Sequence, residues 1–220
     1  KQFFGGIGQN FVNPALAGRI VLLTSFPVAM STWTQPLTWT MSKLDGITSA
    51  SPLSSIHEMT SGGAAPDVSL VEMLIGWRAG CLGETCAVAL ILGGIYLVVR
   101  KVISPTIPLT YIGTVAVIML IAGKGDFRFV AYELLGGGLM LGAIFMATDY
   151  TTSPITPKGK IIFGIGCGLI TSIIRIFGNL PEGVSYSIII MNILVPLIEN
   201  VTLPKPFGTP KKEKKEAEAK

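Results

Sequence analysis

The chain has 220 residues, half of them hydrophobic, with a mean hydropathy of +0.61 and only 14% charged. Soluble domains carry roughly 25% charged residues, so this composition excludes a single large water-soluble core and points to a polytopic membrane protein. The net charge of +4 comes largely from a Lys-rich tail without interleaved aromatics, so it bears on topology and not on nucleic-acid binding.

Glycine is frequent, at 26 residues, as in tightly packed transmembrane helices. The sequence starts at Lys1, not Met, and shows no basic-then-apolar signal segment, so it is expected to be part of a longer protein. Cys81, Cys86 and Cys167 form no CxxC pair and read as small apolar packing residues.

A bilayer core of about 30 Å needs about 20 apolar helical residues. Six crossings are predicted in an all-α membrane bundle spanning 1–203. The first runs from Pro14 to Ser31, with Pro14 suited to a helix start. The run from Val68 to Val99 is too long for one span and is interrupted at Gly80-Cys81-Leu82-Gly83-Glu84. It is read as a broken or re-entrant piece from Ser69 to Ala79, then a crossing from Glu84 to Val99. Further crossings are predicted over Ile107–Ala122, Phe129–Ala147, Ile161–Phe177 and Val184–Ile198. In the fourth of the six, Gly136-Gly137-Gly138 and Gly142 are expected to allow close helix contact. Gly164, Gly166 and Gly168 are read as helix-packing glycines, not a nucleotide loop. A faint internal echo links Asn10 and Pro14 with Asn179 and Pro181, each ahead of an apolar run broken by a proline. It leaves an inverted repeat open. The tail 204–220 is polar and Lys-rich and is expected to be a disordered or frayed cytoplasmic extension.

Basic residues set the orientation. Arg100 and Lys101, then Lys158 and Lys160, then Lys205 and the tail fall on one side when six crossings are counted, and that side is the cytoplasm. The loop 32–67 then lies outside. Trp33 and Trp39 near its start suit either an interfacial belt or ordinary burial.

Ionisable residues within apolar segments are expensive and therefore informative. Arg19, Glu72, Arg78, Glu84, Glu133, Arg175 and Glu199 are of this kind. Arg175 and Glu199 lie near helix ends and read as structural. Glu72, just before the Gly80–Gly83 interruption, is the first candidate for an ion path. Glu133 is the weaker one, being only four residues into its predicted helix and so within reach of water. His57, the one histidine, reads as a solvated loop residue, and no Cys/His spacing suits a metal.

The external loop contains Asp45-Gly46-Ile47-Thr48-Ser49-Ala50-Ser51-Pro52. This string resembles the flavin-attachment motif Asp-x-x-Ser/Thr-x-Ala-Thr of the family that includes the D-type subunit of the Rnf complex and the B-type subunit of the Na+-translocating NADH:quinone reductase. Gly5-Gly6-Ile7-Gly8-Gln9-Asn10-Phe11-Val12-Asn13-Pro14-Ala15 is similar to the family's segment ending Asn-Pro-Ala. Met146-Ala147-Thr148-Asp149-Tyr150-Thr151-Thr152-Ser153-Pro154 is similar to its Ala-Thr-Asp segment before a Ser-Pro turn. The combination covers residues 1 to about 200, with two departures: Ser51 replaces the usual Thr, and several helices that precede this region in the family are missing.

The resemblance implies a D-type subunit of an Rnf complex, working with other Rnf subunits to pass electrons from ferredoxin to NAD+ and to move Na+ or H+. It implies covalent FMN on Ser51, attached by a flavin transferase that recognises Asp45 and Thr48, with Thr48 the second choice for attachment. A second, non-covalent flavin such as riboflavin is left open. A flavin exchanges one or two electrons and so lets one-electron and two-electron carriers meet. The ferredoxin and NAD+ sites would lie on partner subunits. The alternatives are a flavin-free inverted-repeat transporter or channel, and the B-type subunit of the quinone reductase.

The charge bias yields a test. Cysteines introduced singly by Ser55→Cys and Thr209→Cys should react with an impermeant reagent from opposite sides of intact vesicles. Reaction of both from one side would show that the crossing count is wrong.

Overall fold

The computed structural model describes residues 2, 5–6, 10–34, 48–49, 56, 69–77, 80–81, 83–178 and 183–204. Helix α1, Pro14–Ser25, starts where the side chain of Asn13 accepts from the backbone N–H of Ala15 at 3.0 Å. Pro14 at the first helical position loses no bond there. Pro27 cannot continue the ladder, so α1 ends at Ser25 and a short α2, Pro27–Ser31, follows. The first predicted crossing is therefore two helices.

Among the described residues, one strand pair departs from the all-α expectation. Trp33–Thr34 (β1) and Thr48–Ser49 (β2) pair antiparallel, Trp33 opposite Ser49 and Thr34 opposite Thr48. Two residues per strand make a clasp across the base of the loop, not a sheet.

The predicted broken piece is a single short helix, α3, Leu70–Ile75. Ser69 and Glu72 form a reciprocal capping box at its start, and Gly76 closes it at φ 102°, a conformation that favours glycine. Helix α4, Ala87–Val99, α5, Thr106–Ala122, and α6, Phe127–Leu135, follow. After Gly136–Gly138 comes α7, Leu139–Leu141, which continues as a π-helical turn over Gly142–Met146.

The glycine run was expected to bring helices together within one straight crossing. Instead it breaks that crossing, and the axes of Phe127–Leu135 and Leu139–Met146 differ by 66°. Gly137 at φ 61° supplies the left-handed residue that the bend needs. The chain ends in two long helices, α8, Pro157–Phe177, and α9, Val184–Thr202.

Among the described residues, α8 and α9 are long and apolar enough to cross a bilayer. The bent pair makes a third if it is counted as one span. Helices α1, α4 and α5 are apolar but shorter, at 12, 13 and 17 residues. At 1.5 Å per residue they reach about 18, 20 and 26 Å, less than the roughly 30 Å of a bilayer core. Six crossings and the inverted repeat thus remain expectations of the sequence.

The packing is that of a membrane helical protein. On α8, Ile161, Ile165, Leu169 and Ile173 face outward at four-residue spacing, while Phe163, Cys167 and Thr171 are fully buried. The buried side of α8 lies against α5 and α9. There Tyr111 of α5, Thr171 of α8 and Ser187 of α9 share hydrogen bonds of 2.6, 2.9 and 2.8 Å. Hydroxyls inside and aliphatic chains outside suit a surrounding that offers no hydrogen bonds.

The glycines of α8 set its approach to two neighbours. A Cβ on Gly164 would overlap the Thr110 hydroxyl, and one on Gly168 would lie 2.6 Å from Cβ of Thr114. A Cβ on Gly166 would lie 2.5 Å from Cε of Met191, so that glycine serves α9 instead. Thr110 and Thr114 each donate back to their own helix at 2.7 Å, which presents their carbon side to α8.

Gly168→Val should therefore push α5 from α8 and lower stability by about 1–3 kcal/mol. Gly166→Ala, facing a flexible methionine, should cost less. Thermal unfolding of the detergent-solubilised protein checks the order; equal losses would mean that the Thr114 contact does not govern the packing.

Candidate functional site

Two of the three characteristic strings meet in space. Asn10 donates through Nδ2 to the Thr151 hydroxyl at 3.1 Å. Asn192, buried in the middle of α9, ties the same segments together. With its amide nitrogen directed at the neighbouring carbonyls, it donates to Thr152 O at 3.1 Å and Ile188 O at 3.2 Å, and its oxygen accepts from Asn13 N at 3.3 Å. Asp149 orders the second string from within, accepting from the Thr151 and Thr152 hydroxyls at 2.9 and 3.2 Å. The Asn-Pro-Ala start of α1 and the Ala-Thr-Asp turn before α8 are thus one construction, fastened through α9. A lone Asn amid apolar residues was its signal in the sequence.

Of the residues expected to carry or recognise the flavin, Asp45 and Ser51 lie outside the described residues, as does His57. Thr48 is described through its backbone, in the ladder opposite Thr34.

The ion-path candidates part company. Glu72 is half-buried, and its Oε2 accepts from Ser69 N at 2.8 Å as one arm of the capping box. Glu133, expected to be within reach of water, is instead 3% exposed. It sits in the last turn of α6, directly before the break. Arg175, also 3% exposed, crosses from α8. Its Nη1 donates to Glu133 Oε2 at 2.8 Å and to Glu133 O at 2.6 Å, and its Nη2 to Gly136 O at 3.2 Å. The reason is local. A helix end leaves its last carbonyls without N–H partners, and a guanidinium supplies donors and charge together.

A second ion pair reaches the same break from the other side. Arg19 of α1 donates through Nη1 to Glu84 Oε1 at 2.7 Å. Glu84 is buried, and its Oε1 lies 2.8 Å from where a Cβ on Gly138 would stand. So Gly136 is held by the Arg175–Glu133 pair and Gly138 is covered by the Glu84–Arg19 pair. The sequence exposed all four charges but not their pairing, because partners 65 and 42 residues apart leave no periodic trace.

Glu199 is structural in its geometry, its Oε1 accepting from Ile155 N at 3.2 Å. Cys86 caps α4, its sulfur 3.5 Å from the N–H of Ala89, and Cys167 is buried between helices.

Removing one member of a buried ion pair leaves the other charge uncompensated, at a cost of about 3–5 kcal/mol. Glu84→Gln should therefore destabilise the fold by about 3 kcal/mol, and Arg19→Gln/Glu84→Gln should recover at least half of that. A double variant less stable than both singles, by thermal unfolding in detergent, would contradict the pairing.

Comparison with known proteins places these features. The sequence model of the NQR2, RnfD, RnfE family matches residues 1–208. The chain is 48% identical over its whole length to the D-type subunit of the Na+-translocating ferredoxin:NAD+ oxidoreductase complex of Acetobacterium woodii, covering 65% of that protein. It is 43% identical, over 95% of its length and 65% of the relative, to the D-type subunit of the proton-translocating ferredoxin:NAD+ oxidoreductase complex of Clostridium ljungdahlii. Over 94% of its length and 66% of the relative, it is 38% identical to the D-type subunit of the ion-translocating oxidoreductase complex of Stutzerimonas stutzeri. The chain thus spans just under two thirds of the length of these curated relatives. With a family match over almost every residue and three relatives above 30% identity, the chain belongs to the NQR2, RnfD, RnfE family.

Proposed function

We propose that this chain belongs to a membrane subunit of an ion-translocating ferredoxin:NAD+ oxidoreductase complex, the Rnf type, and that it carries FMN in phosphoester linkage on Ser51. The observation that carries the reading is the 48% identity, without a missing stretch of this chain, to a protein named as the D-type subunit of such a complex. The string Asp45-x-x-Thr48-x-Ala50-Ser51 supports the flavin. A phosphoester needs a reachable hydroxyl, which Ser51 supplies, and Asp45 and Thr48 serve the transferase in recognising the loop. Bound there, FMN supplies one- and two-electron transfer. The ferredoxin and NAD+ sites belong to partner subunits. The loop 32–67 faces away from the cytoplasm and the tail from 204 faces it, in keeping with the lysine and arginine bias.

The coupling path runs by Glu133 in this reading. Its support is a carboxylate buried at a 66° break between two half-helices, where backbone carbonyls are freed from the helical ladder. Glu72 is the second candidate, its carboxylate being engaged by the α3 cap.

Mass spectrometry of the loop peptide from the assembled complex tests the flavin assignment. The expected result is a peptide containing Ser51 heavier by one FMN less water, abolished by Ser51→Ala and kept by Ser51→Thr. An unmodified Ser51 in an assembled, active complex would sink the assignment, and modification of Thr48 would move it.

A further inference from the structure

We propose that Glu133 Oε2, Glu133 O and Gly136 O form a binding site for a monovalent metal cation, and that the Arg175 guanidinium is its tethered resident. The proposal rests on the ion-translocating reading above and names the device by which the path would be gated. All three oxygens are hard donors of the kind that replaces the hydration shell of Na+. Two of them are carbonyls at the end of α6, where the helix dipole is negative and the break leaves acceptors without N–H partners. The third is a carboxylate that is 3% exposed. Arg175 donates to all three, at 2.6, 2.8 and 3.2 Å. The positive charge that such a cage requires is thus supplied by α8 itself.

The shared acceptors give the site its consequence. A Na+ would need the same three oxygens that the guanidinium already holds. Two cations side by side in a buried surrounding repel each other strongly. Cation entry therefore requires Arg175 to withdraw, and its withdrawal releases Gly136 from α8. The glycine run can then change its bend, while the Arg19–Glu84 pair still covers Gly138 from the other side. Binding at the oxygens and movement of the half-helix become one event.

The test uses the detergent-solubilised whole complex with Arg175→Gln, which empties the cage while keeping Glu133. Its unfolding midpoint should rise by about 3 °C with NaCl well above the site's Kd, and not with choline chloride at equal ionic strength. The wild type should lack that difference. Adding Glu133→Gln to Arg175→Gln should abolish it. A midpoint indifferent to Na+ in Arg175→Gln would overturn the site. If Arg175→Gln does not assemble, Arg175→Lys and the neutral double variant decide in vesicles. Lys keeps a tethered cation, so sodium uptake per electron should persist, whereas the double variant should lose it. Uptake at the wild-type ratio in the double variant would equally overturn the proposal. Electron transfer from ferredoxin to NAD+ is measured on the same wild-type preparations. Its absence there would speak against the Rnf reading, whereas a missing sodium effect with intact electron transfer would speak only against the cage.

Discussion

A charge inside an apolar bundle must find an opposite charge or a set of polar partners, and much of this fold follows from how four charges do so. A charge buried without a partner is strongly unfavourable. Arg175 offsets that cost with a carboxylate and two carbonyls, and Arg19 with the carboxylate of Glu84. Both pairs close on the same three glycines. The break between α6 and α7 is therefore not a loose joint. It is a bend of 66° whose two ends are held by side chains from α8, from α1 and from the segment before α4.

Around that bend the packing is set by what is small. Gly164 and Gly168 let α5 lie against α8, and Gly166 makes room for Met191 of α9. Close approach lets Tyr111, Thr171 and Ser187 satisfy one another across three helices. In a surrounding that offers no competing hydrogen bonds, such contacts hold helices together that hydrophobicity alone would leave indifferent. The same close packing keeps Arg175 on one side of α8 and the aliphatic stripe from Ile161 to Ile173 on the other. The ion pairs and the glycine seams are thus two parts of one arrangement, with polar groups gathered inward and apolar groups turned to lipid.

The family strings acquire physical content from this geometry. Asn13 and Pro14 start a helix, Asp149 orders a turn, and Asn192 joins the two. Asn13 and Pro14 fix where α1 begins and Thr156 and Pro157 fix where α8 begins, and these two helices carry Arg19 and Arg175.

What the sequence determined by itself is the membrane character, most helix starts and the family. These depend on composition, on signals such as Pro14 at a helix start, and on local strings, all of which act within a few residues, although the start of α8 was read at Ile161, four residues after Pro157. The role of Gly164, Gly166 and Gly168 was legible because glycines spaced along one apolar helix serve packing in most settings. The role of Gly136–Gly138 was not, because a glycine run permits both close contact and a bend. Only the partners across it, Arg175 at Gly136 and Glu84 at Gly138, decide between them. Glu133 was misjudged for the same reason. Counting residues from the start of its helix places it near water, whereas in the fold it is buried and bonded to Arg175, 42 residues further on. Burial and charge pairing are properties of surfaces brought together from distant parts of the chain, and the tertiary structure alone decided them.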